Sequence, residues 1–248
     1  MIAFDAFTLL LIAVVFLLAG VVKGFTGMGL PTVAMGLLGS LLSPATAAAM
    51  LLLPSFITNI FQLGGGRHTV ALLRRLWPML LMIMIATLAS SGWIADGSST
   101  HTQLALGIAL MVYALWTLSG RILSIPARME SWLSPVIGVM TGMLTGGTGV
   151  FVMPAVPWLQ SLGLQKDELV QALGISFTCS TCALAAGLAW QGAFHSASLI
   201  LSALAVIPAL TGLFIGQKLR HAISPALFRR CFLICLLVLG IEMVLRAV

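Results

Sequence analysis

Long runs of apolar residues dominate the chain and predict helices that cross a membrane. A helix needs about 20 apolar residues to span a hydrocarbon core of about 30 Å. Pro54, Pro78 and Pro208 lie inside such runs, which a membrane helix tolerates because neighbouring groups satisfy the freed carbonyl oxygens. Six segments reach the required length: 45–63, 76–95, 103–120, 169–190, 197–216 and 228–246.

Four shorter apolar segments form two pairs, and glycine-rich sequence interrupts each pair. The segments are 7–22, 30–42, 132–145 and 150–163. The interruptions read KGFTGMGLP at residues 23–31 and TGGTG at residues 145–149. At about 1.5 Å per residue, about 13 to 16 residues reach only about 20–24 Å. Each pair is therefore predicted to be a broken or re-entrant helical hairpin whose tip stops inside the membrane.

The composition indicates a multi-pass, all-α membrane protein, because 60% of the 248 residues are hydrophobic and only 7% are charged. A soluble domain carries about 25% charged residues. The net charge of +6 does not indicate nucleic-acid binding, because basic residues beside membrane spans have another use. They set the orientation of the chain in the bilayer.

The basic residues divide between two sets of loops. Ten of the twelve lysines and arginines lie in loops 64–75, 121–131, 164–168 and 217–230, and none lies in loops 43–45, 96–102 and 191–196. The positive-inside rule places the first set in the cytoplasm. Both termini are then predicted to lie on the extracytoplasmic side.

This topology predicts two repeats of opposite orientation, residues 1–125 and 126–248, which together form one transport domain. Each repeat is a broken or re-entrant hairpin followed by three transmembrane helices, about 8–10 segments in all. At a single offset of 120, Gly27, Gly29 and Gly92 match Gly147, Gly149 and Gly212. Inverted repeats with glycine-interrupted segments at corresponding positions are typical of secondary transporters that bind substrate near the midplane.

The interruptions favour the binding of an anion. A helix that begins within the membrane has unpaired backbone N–H groups at its N-terminus, which attract negative charge together with the helix dipole. Glycine permits left-handed turns and a close approach of ligand to backbone. The alternative is that these glycines only allow close helix packing. The candidate binding residues are Lys23, Gly24, Thr26, Gly27, Met28, Gly29, Thr145, Gly146, Gly147, Thr148 and Gly149.

Polar residues within two of the long segments extend the candidate site. Asn59 and Gln62 are three residues apart and share one helix face. Four hydroxyl residues lie in the corresponding segment of the second half: Ser176, Thr178, Ser180 and Thr181. For these residues, lining a cavity and back-bonding to helix carbonyl groups are both open.

The paired motifs GFTGMGLPTVAM and GMLTGGTGVFVMP resemble those of the TauE/SafE family of sulfite exporters, and the resemblance covers essentially the whole chain. It implies a small membrane protein of two homologous halves that carries sulfite or organosulfonates by secondary transport. The first motif departs from a common family pattern, because Leu30 and Pro31 follow Gly29 where further glycine often stands.

The predicted function is secondary transport, as an exporter in the bacterial inner (cytoplasmic) membrane, of a small sulfur-containing anion such as sulfite or an organosulfonate. The substrate would bind at a midplane site that opens to each side in turn. The alternatives are an anion channel or uniporter for other small oxyanions, and an intramembrane enzyme acting on sulfur compounds.

The sequence has no cluster of metal ligands and no grouping of catalytic residues, so we expect no enzymatic activity, metal or cofactor. The expected partners are the small anion and the lipid bilayer, with no nucleic acid. Proton coupling stays open. Glu242 is expected to pair with Arg246, four residues on, and intramembrane carboxylates, the usual proton relays, are few. A coupled proton is therefore expected to travel on the substrate.

Overall fold

The apolar segments of the sequence form ten helices, and the all-helical prediction is confirmed. A computed structural model describes residues 6–63, 68–95, 99–120, 125–193, 196–220, 222 and 224–247. The helices are α1 (Ala6–Thr26), α2 (Leu30–Leu41), α3 (Pro44–Leu63), α4 (Thr69–Ala95), α5 (Ser99–Leu118), α6 (Ala127–Thr148), α7 (Ala155–Ser161), α8 (Lys166–Trp190), α9 (Ser196–Leu219) and α10 (Pro225–Ala247). No β-strand occurs within these ranges.

Six helices, α1, α3, α4, α5, α8 and α9, are long and apolar enough to cross a membrane. Five of them contain predicted spans. The sixth predicted span, 228–246, lies in α10, which has 23 residues but carries charged side chains near both of its ends. Two of those side chains, Glu242 and Arg246, form the expected i,i+4 ion pair. The chain is therefore a multi-pass membrane protein.

Two of the predicted short segments are in fact full-length helices. Residues 7–22 belong to α1, with 21 residues, and residues 132–145 belong to α6, with 22 residues. At about 1.5 Å per residue each is roughly 32 Å long. Their partners are short, because α2 has 12 residues and α7 has seven. The predicted segments were ended where the run of apolar residues meets the polar residues of each interruption. The helical backbone continues through those polar residues, to Thr26 in α1 and to Thr148 in α6.

Glycines bring α1 and α9 into direct backbone contact. A Cβ atom added at Gly24 of α1 would lie 2.0 Å from the Leu213 carbonyl oxygen, and one at Gly20 would meet the same stretch of α9. Gly212 and Gly216 of α9 lie in the same way against the backbone of α1. Because the contacts advance together along both helices, α1 and α9 run parallel. Small residues at such crossings are the usual means of close helix association in membranes.

The pair α6 and α4 is built in the same way. Gly138, Gly142 and Gly146 of α6 lie against the carbonyl groups of Met79, Ile83 and Thr87 of α4. These contacts also advance together, so α4 and α6 run parallel. The remaining close pairs include α3 with α8, α5 with α10, α4 with α8 and α3 with α9.

The turns after α1 and α6 are here named the first tip (residues 27–29) and the second tip (residues 149–154). Both begin with a left-handed glycine, Gly27 at φ 80° and Gly149 at φ 72°. The N–H of Gly27 donates to the Lys23 carbonyl at 2.7 Å, and the N–H of Gly149 donates to the Thr145 carbonyl at 2.8 Å. The two helices therefore end in the same backbone geometry.

The close helix crossings give the first prediction. The Gly24→Ala substitution should lower the free energy of unfolding by about 1–3 kcal/mol, because the added methyl group forces the backbones of α1 and α9 apart. The Gly147→Ala variant is the matched control, since its nearest neighbour is a ring carbon of Trp93 at 3.4 Å. Thermal unfolding in detergent, followed by circular dichroism, measures both variants. Equal losses at Gly24 and Gly147 would contradict the packing role of Gly24.

Candidate functional site

A lysine is buried in the apolar interior of the bundle. Lys23 lies on the last turn of α1 and is 1% exposed. Its ammonium group donates to the Thr58 hydroxyl at 3.0 Å and to the Asn59 side-chain oxygen, both on α3. An ammonium group has three donors and no acceptor, so these two bonds leave one donor for another ligand.

Pro54 shapes the part of α3 that receives Lys23. Proline has no N–H, so the carbonyl four residues earlier loses its helical partner. That carbonyl, of Met50, accepts a hydrogen bond from the Ser202 hydroxyl of α9 at 2.8 Å, and the Leu53 N–H donates back to the same hydroxyl at 3.2 Å. The proline is thus accommodated by a neighbouring helix, as membrane helices require.

One face of α3 continues the polar contacts across to α8. The Ser55 and Thr181 hydroxyls lie 3.2 Å apart, and the Asn59 side-chain amide donates to Ser55 at 3.3 Å. All three residues are buried. We name Lys23, Ser55, Thr58, Asn59 and Thr181 the central polar cluster. It joins three helices, α1, α3 and α8, through side-chain contacts.

The second half also contributes hydroxyl groups that have no bonding partner. Ser176 and Ser180 of α8 are each 0% exposed, and neither hydroxyl has a hydrogen-bond partner among the described residues. A buried hydroxyl without a partner costs about 1–3 kcal/mol. Water or a polar ligand is the usual means of satisfying such groups.

No carboxylate neutralises Lys23 in the part of the chain that the structure describes. The ion pairs found there join Arg75 to Glu130, His68 to Glu168 and Arg246 to Glu242. A buried charge is costly unless it is paired and hydrogen-bonded. An ammonium held in place by two neutral acceptors is therefore suited to an anion that arrives from outside the protein.

The tips use most of their polar groups for their own structure. The Thr26 hydroxyl donates to the Val22 carbonyl at 2.8 Å, and it accepts from the Met28 N–H at 3.2 Å. In the second tip, the Thr148 hydroxyl donates to Leu144 at 2.6 Å and accepts from the Val150 N–H at 3.2 Å. Both threonines therefore cap the glycine turns that follow them.

The two left-handed glycines that end α1 and α6, Gly27 and Gly149, are 122 residues apart (149 − 27). Gly147, which the sequence comparison at an offset of 120 pairs with Gly27, lies inside α6. Thr145 lies 122 residues after Lys23 (145 − 23), and its hydroxyl donates to the Thr141 carbonyl at 2.7 Å.

The two tips lie beside the ends of different helices. A Cβ atom at Gly24 would lie 3.0 Å from the Gln217 nitrogen, which places the first tip beside the end of α9. The second tip follows Gly147, which faces Trp93 near the end of α4. The end of α9 lies at the opposite end of the bundle from the end of α4, as the next contacts establish.

A cavity and a hydrogen bond fix these relative positions. Arg220, which follows α9, lines one cavity together with Gln160 of α7. Arg75, near the start of α4, donates to the Leu162 carbonyl just after α7 at 3.5 Å. The end of α9 and the start of α4 therefore lie at the same end of the bundle. Since α1 runs with α9 and α6 with α4, the two tips point in opposite directions.

The remaining predicted site residues take different positions. Gly24 and Gly146 face the backbones of α9 and α4, as the close-packing alternative requires. Gln62 donates from its side-chain nitrogen to the Gly27 carbonyl, and its buried side-chain oxygen has no partner among the described residues. Met28 lines the cavity beside the first tip. Gly29, at φ 103°, directly precedes α2.

Sequence reasoning missed Ser55 and Thr58 as members of the cluster. A usable signal was present, because Ser55, Thr58, Asn59 and Gln62 follow the spacing i, i+3, i+4, i+7 of a single helix face. It was overlooked because hydroxyl residues are common in membrane helices, where they often bond to their own helix. Thr58 does so as well, donating to the Pro54 carbonyl at 2.6 Å.

Comparison with known proteins gives one match. A family model described as sulfite exporter TauE/SafE matches residues 12–243. That range contains all residues of the central polar cluster and both tips. No curated protein and no solved structure matches the chain.

The contact between Lys23 and Asn59 gives the second prediction. Asn59→Leu should lower the free energy of unfolding by about 1–3 kcal/mol, because it leaves a buried ammonium short of an acceptor. In the Lys23→Met background the same change should cost at least about 1 kcal/mol less, as expected for two groups in direct contact. The measurement is a double-mutant cycle of thermal unfolding in detergent.

Gln62→Met is the control for that cycle. Gln62 lies on the same face of α3 but bonds to Gly27 and not to Lys23. Its effect should therefore add to that of Lys23→Met. Additive effects for Asn59 and Lys23 as well would show that their contact contributes nothing to stability.

Proposed function

The chain belongs to the sulfite exporter TauE/SafE family, and on this premise we propose that it exports a small sulfur-containing anion, such as sulfite or an organosulfonate, by secondary transport. The observation that carries the proposal is the buried Lys23, which is held by Thr58 and Asn59. An oxyanion would bond to its free donor and supply the negative charge that its surroundings lack.

The central polar cluster is the proposed substrate site. It offers one cation from α1 and hydroxyl groups from α3 and α8. Ser176 and Ser180 could donate to further oxygens of the anion, because neither hydroxyl has another partner among the described residues. Moving an anion into a bundle of low polarity requires replacement of its hydration shell. A fixed ammonium and several hydroxyl groups are suited to that exchange.

Two inverted repeats are part of the proposal, and the helix pairing supports them. If α1–α5 correspond in order to α6–α10, the contact of α1 with α9 corresponds to that of α6 with α4. The contacts of α3 with α8 and of α5 with α10 then correspond to themselves. Asn59 and Thr181 are 122 residues apart in the sequence (181 − 59). The side-chain nitrogen of Asn59 lies 3.5 Å from the hydroxyl oxygen of Thr181. Equivalent residues in contact are expected on a two-fold axis, which would run through the cluster.

Alternating access is the proposed mechanism. A cavity of about 270 Å³ reaches Thr26, one helical turn beyond Lys23. A second cavity, of about 510 Å³, reaches Thr148, directly before the second tip. The two tips point in opposite directions, so each cavity is the natural route from one side of the membrane. Rocking of one repeat against the other would open one route while it closes the other.

The proposed location is the inner (cytoplasmic) membrane of a bacterium, with both termini on the outside. The end of the bundle that carries Arg75, Arg220 and Arg229 is assigned to the cytoplasm by the positive-inside rule. Any coupled proton is proposed to travel on the substrate. The carboxylate of Glu242, the acidic residue within α10, is paired with Arg246.

Orientation gives the third prediction. A single cysteine at Val70, which is exposed at the start of α4, should be protected in intact cells from a thiol reagent that cannot cross the membrane. A single cysteine at Thr100, which is exposed at the start of α5, should react. Both are introduced into a variant without native cysteines. The reverse pattern would place the basic end of the bundle outside.

Transport gives the fourth prediction. Purified protein in liposomes should take up radiolabelled sulfite, and Lys23→Met should reduce uptake at least about tenfold, since a hydrogen bond to a charged group contributes about 1.5–3 kcal/mol. Asn59→Asp should have a similar effect for a different reason. The new carboxylate lies against the ammonium and competes with the anion for it.

The control is Lys166→Met, which removes a positive charge from an exposed position at the start of α8. It should transport normally. Labelled sulfate, thiosulfate and organosulfonates tested beside sulfite identify the preferred anion, and currents far above carrier rates would identify a channel. Normal uptake by both Lys23→Met and Asn59→Asp, with normal folding, would exclude the cluster as the substrate site.

A further inference from the structure

The cavity beside the first tip is lined by two arginine residues that have no role in the proposed mechanism. Its volume is about 270 Å³, below the range of pockets for drug-sized ligands. Its walls come from the ends of α1 and α5, from α7 and from the start of α10. Arg220 and Arg229 contribute two guanidinium groups. Further polar lining comes from Thr26, Tyr113, Thr117 and Gln160.

These two arginines have no acidic partner in the described part of the chain. The ion pairs there involve Arg75, Arg246 and His68. The side chain of Arg229 donates only a long bond, 3.5 Å, to the Thr117 carbonyl. Guanidinium groups suit oxyanions because they donate parallel hydrogen bonds in a planar fork. The cavity therefore concentrates positive charge that the protein does not neutralise.

The cavity lies beside the part of α1 that carries Lys23, on the proposed route to the central polar cluster. Phe25 and Thr26 of α1 line it, and Lys23 is one turn closer to the middle of the same helix. The cavity beside the second tip differs, because its lining is Trp93, His101, Thr102, Ala105, Met143, Leu144, Gly147 and Thr148. That lining contains no arginine or lysine. The two routes to the cluster are therefore unequal in charge.

We propose that Arg220 and Arg229 form a second anion-binding site, which captures small oxyanions at the basic end of the bundle before they reach Lys23. This inference rests on the proposed transport function for its purpose, but not for its test. The site makes capture of the anion more favourable from the basic end than from the opposite end. Clefts lined by one sign of charge raise the local concentration of the opposite ion by about 10- to 1000-fold.

Charged thiol reagents test the site without any transport measurement. Gln160→Cys, in a variant without native cysteines, places a reporter on the cavity wall. Its reaction with anionic methanethiosulfonate ethylsulfonate should be favoured over that with the cationic trimethylammonium analogue. Arg220→Gln or Arg229→Gln should lower the ratio of the two rates about tenfold, because part of the attracting charge is removed. Thr117→Cys serves as a second reporter if Gln160→Cys fails to fold.

Lys218→Gln is the matched control. It removes one positive charge from the last turn of α9, two residues from Arg220, but Lys218 does not line the cavity. The ratio of the two reaction rates should fall less than it does with either arginine substitution, because Lys218 does not line the cavity. A ratio unchanged by both arginine substitutions, or lowered equally by Lys218→Gln, would overturn the proposal.

Uptake of labelled sulfite from each side of oriented vesicles separates this inference from the proposed function. Both are supported if Arg229→Gln raises KM about tenfold from the basic side and leaves KM from the other side unchanged. Suppose that neither sulfite nor the other labelled anions are transported, but the arginine substitutions still lower the ratio of the anionic to the cationic reaction rate. The anion site is then supported and the transport proposal fails. If transport occurs with unchanged KM and an unchanged ratio, the anion site is excluded.

Discussion

A single buried ammonium group determines the character of this bundle. Lys23 is 1% exposed, and its bonds to Thr58 and Asn59 explain why α3 has a polar face in an apolar helix. Just before that face, Pro54 leaves the Met50 carbonyl without its helical partner, and the Ser202 hydroxyl of α9 donates to it instead. The lysine thus couples α1 to α3, and α3 to α8 and α9, through polar contacts that lipid could not replace.

The glycines serve two separate purposes. Gly20, Gly24, Gly142 and Gly146 allow helix backbones to touch, which supplies the van der Waals packing that holds membrane helices together. Gly27 and Gly149 instead end their helices in left-handed turns. Both kinds of glycine occur within the same two short motifs, residues 23–31 and 145–149. The packing and anion-binding interpretations therefore could not be separated before the neighbouring helices were known.

The sequence allowed prediction of the helical class and of five of the long spans. It also singled out Lys23 and Asn59, which the structure places in contact. Hydropathy and helical spacing carry that information locally. The full length of α1 and α6 was not predictable by the same means, because hydropathy falls at the lysine and threonines although the backbone remains helical. The contact of Asn59 with Thr181 was also missed, since it joins positions 122 residues apart (181 − 59).

In the proposed mechanism, a single cation suits the charge of the substrate. Thr145, which lies 122 residues after Lys23 (145 − 23), has a hydroxyl that bonds to its own helix. Two ammonium groups meeting on a common axis would repel each other at low dielectric. They would also hold a small anion too strongly for release, whereas a carrier must bind its substrate in a form that it can leave. One long, flexible lysine reaching an axial site from one side is sufficient, and hydroxyl groups such as those of Ser176 and Ser180 can complete the coordination without adding charge. The proposed inverted architecture is thus compatible with a single cation, provided that the cation lies close to the proposed axis through α3 and α8.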